Sequence, residues 1–438
     1  MAYGWPVSTA SIGDRLTHGR IALQQISLQN VKRSLEDYKV YCMAREVKRT
    51  LAKRFRRAQN LTQKVVYLTP KGPPQGHVLL SFINEPFLFT EDQAGMYGQH
   101  THYWAALEMA KTFLDLGYNV DVIRWNNEKF LPKKDYSCFI DLRMNLERLY
   151  GLLSKDCIKI MYIETAHWLF HMTAQYNRLF AIQQRKGVTL SPCKTLSPNW
   201  GIEYADCATV LGNNFTISTY NYANKPLYRV PVISPVICPW PKEKKFDVCR
   251  KHFLWFGSGG LVHKGLDLVL EAFAEMPEYH LSVCGPIKQE KDFEKAYHRE
   301  LYQTPNIHTF GWVRASSPEF IEIANNCVGL IYPSCSEGGG GSVATCMHAG
   351  LIPLVSYESS VDVAEDFGVI LKSCSIEALK DTVRAISSLP AQELKQMARN
   401  AWEFARVHHT KEKFAEEFRK VLAEIITVQR PERQWAKA

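Results

Sequence analysis

Short apolar runs alternate with helical stretches along this chain, and the alternation breaks once and then begins again. In the first half the runs are His77–Ile83, Tyr118–Ile123, Cys138–Leu142, Ile158–Ile163 and Cys207–Leu211. Their apolar residues are consecutive rather than alternate, which marks strands buried on both faces. Helices are expected between them at 101–116, stopped by Gly117, and at 168–185. The break runs from Pro231 to Pro241, where Pro235 and Pro239 keep the chain extended and Lys242-Glu-Lys-Lys245 follows, in the manner of a linker. Beyond it, strands are expected at Phe253–Phe256, Leu281–Cys284, Ile307–Phe310, Val328–Tyr332 and Ile352–Ser356, with helices at 264–274, 292–301, 318–325 and 376–387. The tail, 391–428, reads as two amphipathic helices hinged near His408-His409-Thr410. Buried strands that alternate with helices form a parallel sheet covered on both sides. The chain is therefore expected to be α/β, with two doubly wound domains in tandem. In such sheets a ligand binds beyond the carboxyl ends of the strands, here in the cleft between the domains.

The expected boundaries are a basic, largely helical extension at 1–75, a first domain at 76–235, a second at 236–410, and a last helix at 411–438 packing back toward the first domain. The formal charge is +9, and most of it sits in the extension. From Lys32 to Lys64 eleven Lys or Arg face three acidic residues, Glu36, Asp37 and Glu46, a surplus of +8. Val31, Leu35, Tyr38, Cys42, Val47, Leu51 and Phe55 keep near-helical spacing, so residues 31–58 suit an anionic membrane surface as well as a solvated helix docked on the body. The rest of the chain is nearly neutral, which argues against nucleic acid. No apolar stretch is long enough for a transmembrane helix, and the N-terminus lacks a basic flank with an apolar block. The twelve cysteines have no framework-like spacing and no CxxC pair, which points to free thiols in a reducing compartment and away from structural zinc. The expected location is cytoplasmic, peripheral on the inner face of a membrane.

The residues best suited to a ligand follow the strand Val328–Tyr332. Pro333-Ser-Cys-Ser-Glu337 leads into four consecutive glycines, Gly338 to Gly341, then Ser342, a short helical segment, Gly350 and the next strand. Glycine lets backbone N–H groups approach a ligand closely, and a helix start favours negative charge. The expected ligand is a phosphate-bearing small molecule, with Glu337 at the rim to accept hydroxyl hydrogens. An earlier loop, Gly257-Ser-Gly-Gly-Leu-Val-His-Lys264-Gly265-Leu-Asp267, carries a lysine at a helix start. Lysine is a compact point charge suited to a pyrophosphate. Alone, the loop is equally a tight turn with a surface lysine; ahead of the Glu337 loop in one sheet it points to a shared ligand.

Together these motifs resemble the GT-B glycosyltransferases of the large retaining family 4. That family carries G-R-L-x-x-x-K-G-x-D, a Gly-Pro after the next strand, and P-S-x-x-E-G-x-G-x-x-x-x-E-A-M-A-x-G-x-P-V. The counterparts are Gly259 to Asp267, Gly285-Pro286, and Pro333-Ser334 through Val355. The similarity spans about residues 77–430 and is clearer in the second domain. It implies two Rossmann-like domains and transfer of a sugar, with retention, from a nucleotide-diphosphate sugar to a glycan or lipid-linked acceptor. It also implies no metal and no cofactor beyond the donor. The donor-binding residues it implies are Gly259, Gly260, Lys264, Gly285, Pro333, Ser334, Gly338, Gly339, Gly340, Gly341, Ser342 and Thr345. Gly98-Gln99 resembles the family's first-domain donor loop. His167, after the Ile158 strand, resembles its donor-sugar histidine, so Glu337, His167 and Lys264 are the catalytic candidates. Two positions depart from the pattern: the second family glutamate falls at Thr345, with Glu358 nearby as a substitute, and the family arginine falls at Gly259.

The chemistry is consistent with those residue types. Glycosyl transfer passes through an oxocarbenium-like transition state, while negative charge grows on the departing diphosphate. Fixed donors aimed at that charge lower the barrier most. Lys264, the amides of Gly340, Gly341 and Ser342, and the helix behind them are placed for this. The chain has no Asp-x-Asp, which counts against a metal-dependent GT-A enzyme. Other candidates are weaker. Glu164-x-x-His167 with His171 lacks the second set a metal site needs. His100 and His102, at a helix start, suit an acceptor or plain surface. Glu91-Asp92 sits in a long loop, and Tyr162, Trp168 and Phe170 suit core packing. Two further readings stay open: a non-catalytic nucleotide-sugar-binding or scaffold protein, and a GT-B sugar phosphorylase.

Overall fold

The computed structural model describes residues 63–88, 101–234 and 236–429. The basic segment 31–58 and the candidates Gly98, Gln99, His100, Glu91 and Asp92 lie outside them. In the first domain, β1 (Val66–Leu68), β2 (Gly76–Phe82), β3 (Tyr118–Arg124), β4 (Cys138–Asp141), β5 (Ile158–Ile163), β6 (Cys207–Leu211) and β7 (Leu227–Val230) form one sheet, ordered β1-β3-β2-β4-β5-β6-β7. All neighbours are parallel except β1, which runs antiparallel to β3 with Val66 opposite Val122. In the second domain, β8 (His252–Phe256), β9 (His280–Cys284), β10 (Ile307–Gly311), β11 (Gly329–Tyr332), β12 (Ile352–Val355) and β13 (Val369–Ile370) form an all-parallel sheet, ordered β10-β9-β8-β11-β12-β13. The strand order reverses between β2 and β4 and between β8 and β11. Connections leave to opposite sides at such a point and open a crevice at the carboxyl ends.

The apolar runs locate every interior strand to within a residue or two. They miss β1, β7 and β13, three of the four edge strands, whereas the fourth, β10, is found from Ile307 to Phe310. An edge strand is buried on too little of its surface to need a continuous apolar run, and these three carry partly exposed residues. Residues 63–75, expected to end a helical extension, are strand and turn joined to the sheet. The helix expected from Lys264 begins at Leu266, because Gly265 sits at φ +74° ahead of it. The helix expected over 292–301 is two short helices, Lys291–Ala296 and His298–Tyr302.

Six helices matter below: α1 (Thr101–Asp115), α2 (Trp168–Lys186), α3 (Leu266–Ala274), α4 (Gly341–His348), α5 (Ala391–His408) and α6 (Lys411–Gln429). No described helix is long and apolar enough to cross a membrane. The two C-terminal helices serve different domains. Ala401 and Ala405 of α5 pack with Val343 and Met347 of α4, whereas Phe414, Phe418, Leu422 and Ile425 of α6 pack with Val78, Leu80, Ala105 and Phe113 of the first domain. The chain thus crosses between domains twice. Nor is the proline-spaced segment a free linker, since Val232, Ile233, Ser234 and Cys238 are buried. The two crossings are tied together: His409 Nδ1 lies 3.1 Å from Val232 O, and Ser234 N donates to His409 O at 3.2 Å. Helix α2 completes the contact. Its Leu179 and Ile182 join the core of the second domain, Arg178 donates to Pro333 O at 2.7 Å, and Arg185 pairs with Asp267 at 2.8 Å.

Lys244, just past the first crossing, is buried and donates to Ala324 O at 3.2 Å and Gly350 O at 2.9 Å. Burial pushes its pKa down to about 8, against about 10.4 in an unfolded chain. Between those values the unfolded state holds more protons, so this residue makes stability rise with pH. Lys244→Met should remove that rise. Urea unfolding of both proteins at pH 8 and pH 10 measures it; an identical pH dependence in the two would refute the assignment.

Candidate active site

A cavity of about 230 Å³ lies between the domains. The second domain contributes Ser258, Lys264, Glu337, Gly340, Gly341 and Ser342, from the carboxyl ends of β8 and β11. The first contributes Thr101 and His102 at the start of α1, Arg143 after β4, Glu164 after β5, His171 on α2 and Lys194 from the loop beyond α2.

At its floor Lys264 Nζ donates to Glu337 Oε1 at 2.5 Å and to Tyr332 Oη at 2.7 Å. The Tyr332 hydroxyl donates to the same carboxylate oxygen at 2.9 Å, and Ser334 Oγ stands 3.2 Å from it. Local geometry places the lysine. The turn at Gly265 presses so closely on Pro333 that a Cβ there would overlap the Pro333 carbonyl, and Trp255 Nε1 donates to Lys264 O at 3.2 Å. Burial disfavours a charged Glu337, but Lys264, His263 and Lys194 outweigh it and hold its pKa down to about 2. Burial likewise disfavours charge on Lys264, and Glu337 then Tyr332 more than restore it, so its pKa lies above the usual lysine value. The pair is therefore ionised at neutral pH.

The glycine loop reaches the other domain. A Cβ on Gly338 would overlap the backbone of Glu164 and Thr165, and one on Gly339, at φ +98°, would overlap Val232. Gly340 takes φ +45° as the cap of α4. The first amides of α4 have no intrahelical acceptor, and Gly341 and Ser342 carry them along the cavity wall. Across the cavity Glu164 accepts from both Arg143 and His102, the latter at 2.7 Å. Burial pushes its carboxyl up, but His102 and Arg143 hold it well below the usual range. His171 Nε2 donates to Lys194 O at 2.9 Å, which leaves Nδ1 to accept from Ser336 Oγ at 3.2 Å. Burial lowers its pKa, in keeping with a neutral ring.

Several expected residues sit elsewhere. His167 caps α2: its Nδ1 accepts from Leu169 N at 3.4 Å, and its Nε2 meets Tyr222 Oη at 3.1 Å, away from Glu337. One helical turn on, His171 takes the place by the cavity. Thr345 is turned onto its own helix, donating to Gly341 O at 2.8 Å and facing Ser234 of the crossing at 3.4 Å. Glu358 lines a separate cavity with Arg178. Gly285 is packed on Trp255, where a Cβ would come within 2.8 Å of the indole. The amides of Gly260 and Leu261 are taken by Glu290, at 2.5 and 3.2 Å. Pro333 accepts from Arg178, and Ser334 is buried beneath Glu337. Sequence reasoning missed Arg143, Lys194, Ser258 and Tyr332 as cavity residues. Tyr332 had a signal, being the strand residue next to the motif; Arg143 and Lys194 stand in segments with none.

A second chamber of about 210 Å³ opens beside the first, sharing Arg143, Tyr162, Glu164, Thr165 and Leu196. Trp125, Met144, Trp168, Asn199 and Tyr220 line it.

Residues 244–404 match the family model described as Glycosyl transferases group 1. No curated protein sequence matches the chain. Among solved structures, the sucrose-phosphate synthase of Thermosynechococcus elongatus superposes with a TM-score of 0.55 at 12% identity, over 82% of this chain and 100% of that one. Anabaena HepE, crystallised with UDP and glucose, superposes with a TM-score of 0.50 at 11% identity, over 80% of this chain and 99% of that one. S. aureus TarM, in a complex that includes UDP, gives a TM-score of 0.48 at 13% identity over 67% of this chain, and this chain spans 57% of its length. At such identities the likeness is one of fold. The described chain has the GT-B fold, and its second half carries a glycosyl transferases group 1 domain.

Proposed function

We propose that this chain, a glycosyltransferase of the GT-B fold, moves a sugar with retention from a nucleotide-diphosphate sugar to a glycan or lipid-linked acceptor, without a metal ion. The observation that carries the reading is the ionised pair of buried Lys264 and half-buried Glu337 beside the start of α4, at the strand-order reversal of the second sheet. A diphosphate laid along Gly340–Ser342 meets helix amides that lack acceptors, and Lys264, shared with Glu337, adds positive charge beside them. As the glycosyl–phosphate bond breaks, these groups face the oxygen on which charge grows, and they need no reorganisation. Positive side chains then serve where other transferases use a cation. Glu337, with one face open to the cavity, accepts from donor-sugar hydroxyls. The acceptor enters from the second chamber, where Trp125 and Trp168 offer flat apolar surface to a sugar ring. Its hydroxyl attacks on the face the diphosphate leaves, a diphosphate oxygen taking the proton. The basic surplus of residues 32–64 supports meeting that acceptor at an anionic surface.

The test is a thermal-shift screen of the purified full chain against UDP-, GDP-, ADP- and CMP-sugars, followed by assay of nucleoside diphosphate release. Ligand at about 100 times its Kd should stabilise the protein by about 2.7 kcal/mol. One diphosphate sugar should stabilise the protein and be turned over, and CMP-sugars, which lack a diphosphate, should do neither. No shift and no release with any diphosphate sugar would overturn the proposal.

A further inference from the structure

Lys194 lies in the loop after α2, and its backbone is clamped by two buried side chains of that helix. Gln175 Oε1 accepts from its N–H at 2.8 Å, while Gln175 Nε2 and His171 Nε2 donate to its carbonyl at 3.1 and 2.9 Å. The side chain then crosses the second domain's first glycine loop. A Cβ placed on Gly260 would stand 3.1 Å from Lys194 Cβ and 3.5 Å from its Cδ, so only glycine leaves this path open. The stem ends in the cavity that Lys264, Ser258 and Ser342 also line. The charges there are otherwise paired: Lys264 with Glu337, and Arg143 and His102 with Glu164. Among the described residues Lys194 has no ion-pair partner. Burial and then Lys264 lower its pKa, and Glu337 and Glu164, which act the other way without touching it, do not restore the ordinary value, so an arriving anion would relieve the cation further. Gly259, on the facing loop, offers no charge of its own, and a Cβ there would meet nothing nearer than Glu290 Oε1 at 3.6 Å.

We infer that Lys194 is the second diphosphate-binding cation of the donor site, supplied by the first domain for a loop whose Gly259 carries no side chain. The inference rests on the donor reading above. It makes donor binding depend on the closed arrangement, because the two phosphate-gripping lysines come from different domains.

The experiment is isothermal titration of the full chain with UDP, GDP and ADP, and with the matching nucleosides. For whichever diphosphate the wild type binds, Lys194→Ala should weaken binding about tenfold to hundredfold, the range for a lost contact to a charged group. The nucleoside and the melting temperature should hardly change. Lys194→Arg should retain most of the affinity, and adding Gly259→Arg to Lys194→Ala should restore much of it. Undiminished diphosphate affinity in Lys194→Ala, or equal losses for diphosphate and nucleoside, would overturn the inference and leave the donor reading standing. A double variant no better than Lys194→Ala would remove the claim that the two positions serve one phosphate. A wild type that binds none of the three diphosphates would remove both readings.

Discussion

Glu337→Ala is expected to lower turnover by about tenfold to a thousandfold, the range for losing one preorganised electrostatic contact, and to destabilise the fold as well. Two effects combine. The donor sugar loses an acceptor for its hydroxyls, and Lys264 is left buried with Tyr332 as its remaining partner. An unpaired buried charge costs about 3–5 kcal/mol, and the open face of Glu337 admits water that keeps the loss near the lower figure. Glu337→Gln separates the two: its amide oxygen still accepts from Lys264, so stability should fall less while turnover stays low. The acid limb gives an independent check. With a folded pKa of about 2 and an unfolded value of about 4.3, Glu337 contributes stability above the unfolded value, and the contribution is lost as pH falls between the two. The stability gap between wild type and Glu337→Gln should therefore be constant near neutrality and close as pH falls from about 4 toward 2. Wild-type turnover in Glu337→Ala would remove the site assignment.

Gly338→Ala tests the closure of the two domains. The added methyl would overlap the carbonyl of Glu164 and the Cα of Thr165, so backbone meets backbone and no side chain can swing aside. Neither wall is loose. Glu337 N donates to Glu358 O at 2.9 Å and Thr216 Oγ1 to Glu337 O at 3.3 Å, while β5 lies between β4 and β6. The cheapest relief is to part the domains, since each has its own core. Parting carries Arg143, Glu164 and Lys194 away from Lys264 and Glu337. A misplacement of about 1 Å can cost about a hundredfold in rate, so turnover should fall at least that far. Small-angle scattering should report a larger radius of gyration with secondary structure intact. An unchanged scattering curve with wild-type turnover would show that the seam tolerates the methyl.

Much of the fold could be read from the chain because burial writes itself into composition. Interior strands such as Ile158–Ile163 and Gly329–Tyr332 are covered on both faces and must be apolar throughout. The edge strands Val66–Leu68, Leu227–Val230 and Val369–Ile370 escaped for the converse reason. Within the site, Lys264, Glu337 and Gly338 to Gly341 were legible because a strand, a turn of fixed φ and a helix start follow one another without interruption. Such local geometry demands glycine whatever surrounds it. His167 caps a helix and does not line the cavity, and the sequence could not separate the two because a helix cap and a ligand contact call for the same kind of side chain. Thr345 turns its hydroxyl onto its own helix, which position along α4 does not reveal.

The chain by itself therefore determined two largely parallel sheets with alternating helices and the glycine-rich, phosphate-suited loops of the second domain. All of these are set by neighbours in sequence. Tertiary structure alone decided that Arg143, Glu164, His171 and Lys194 face Lys264 and Glu337. Those side chains come from four separate segments of the first domain. Their meeting depends on how α2, the two crossings and the glycine loop pack, and packing between distant segments leaves no periodic mark on any one of them.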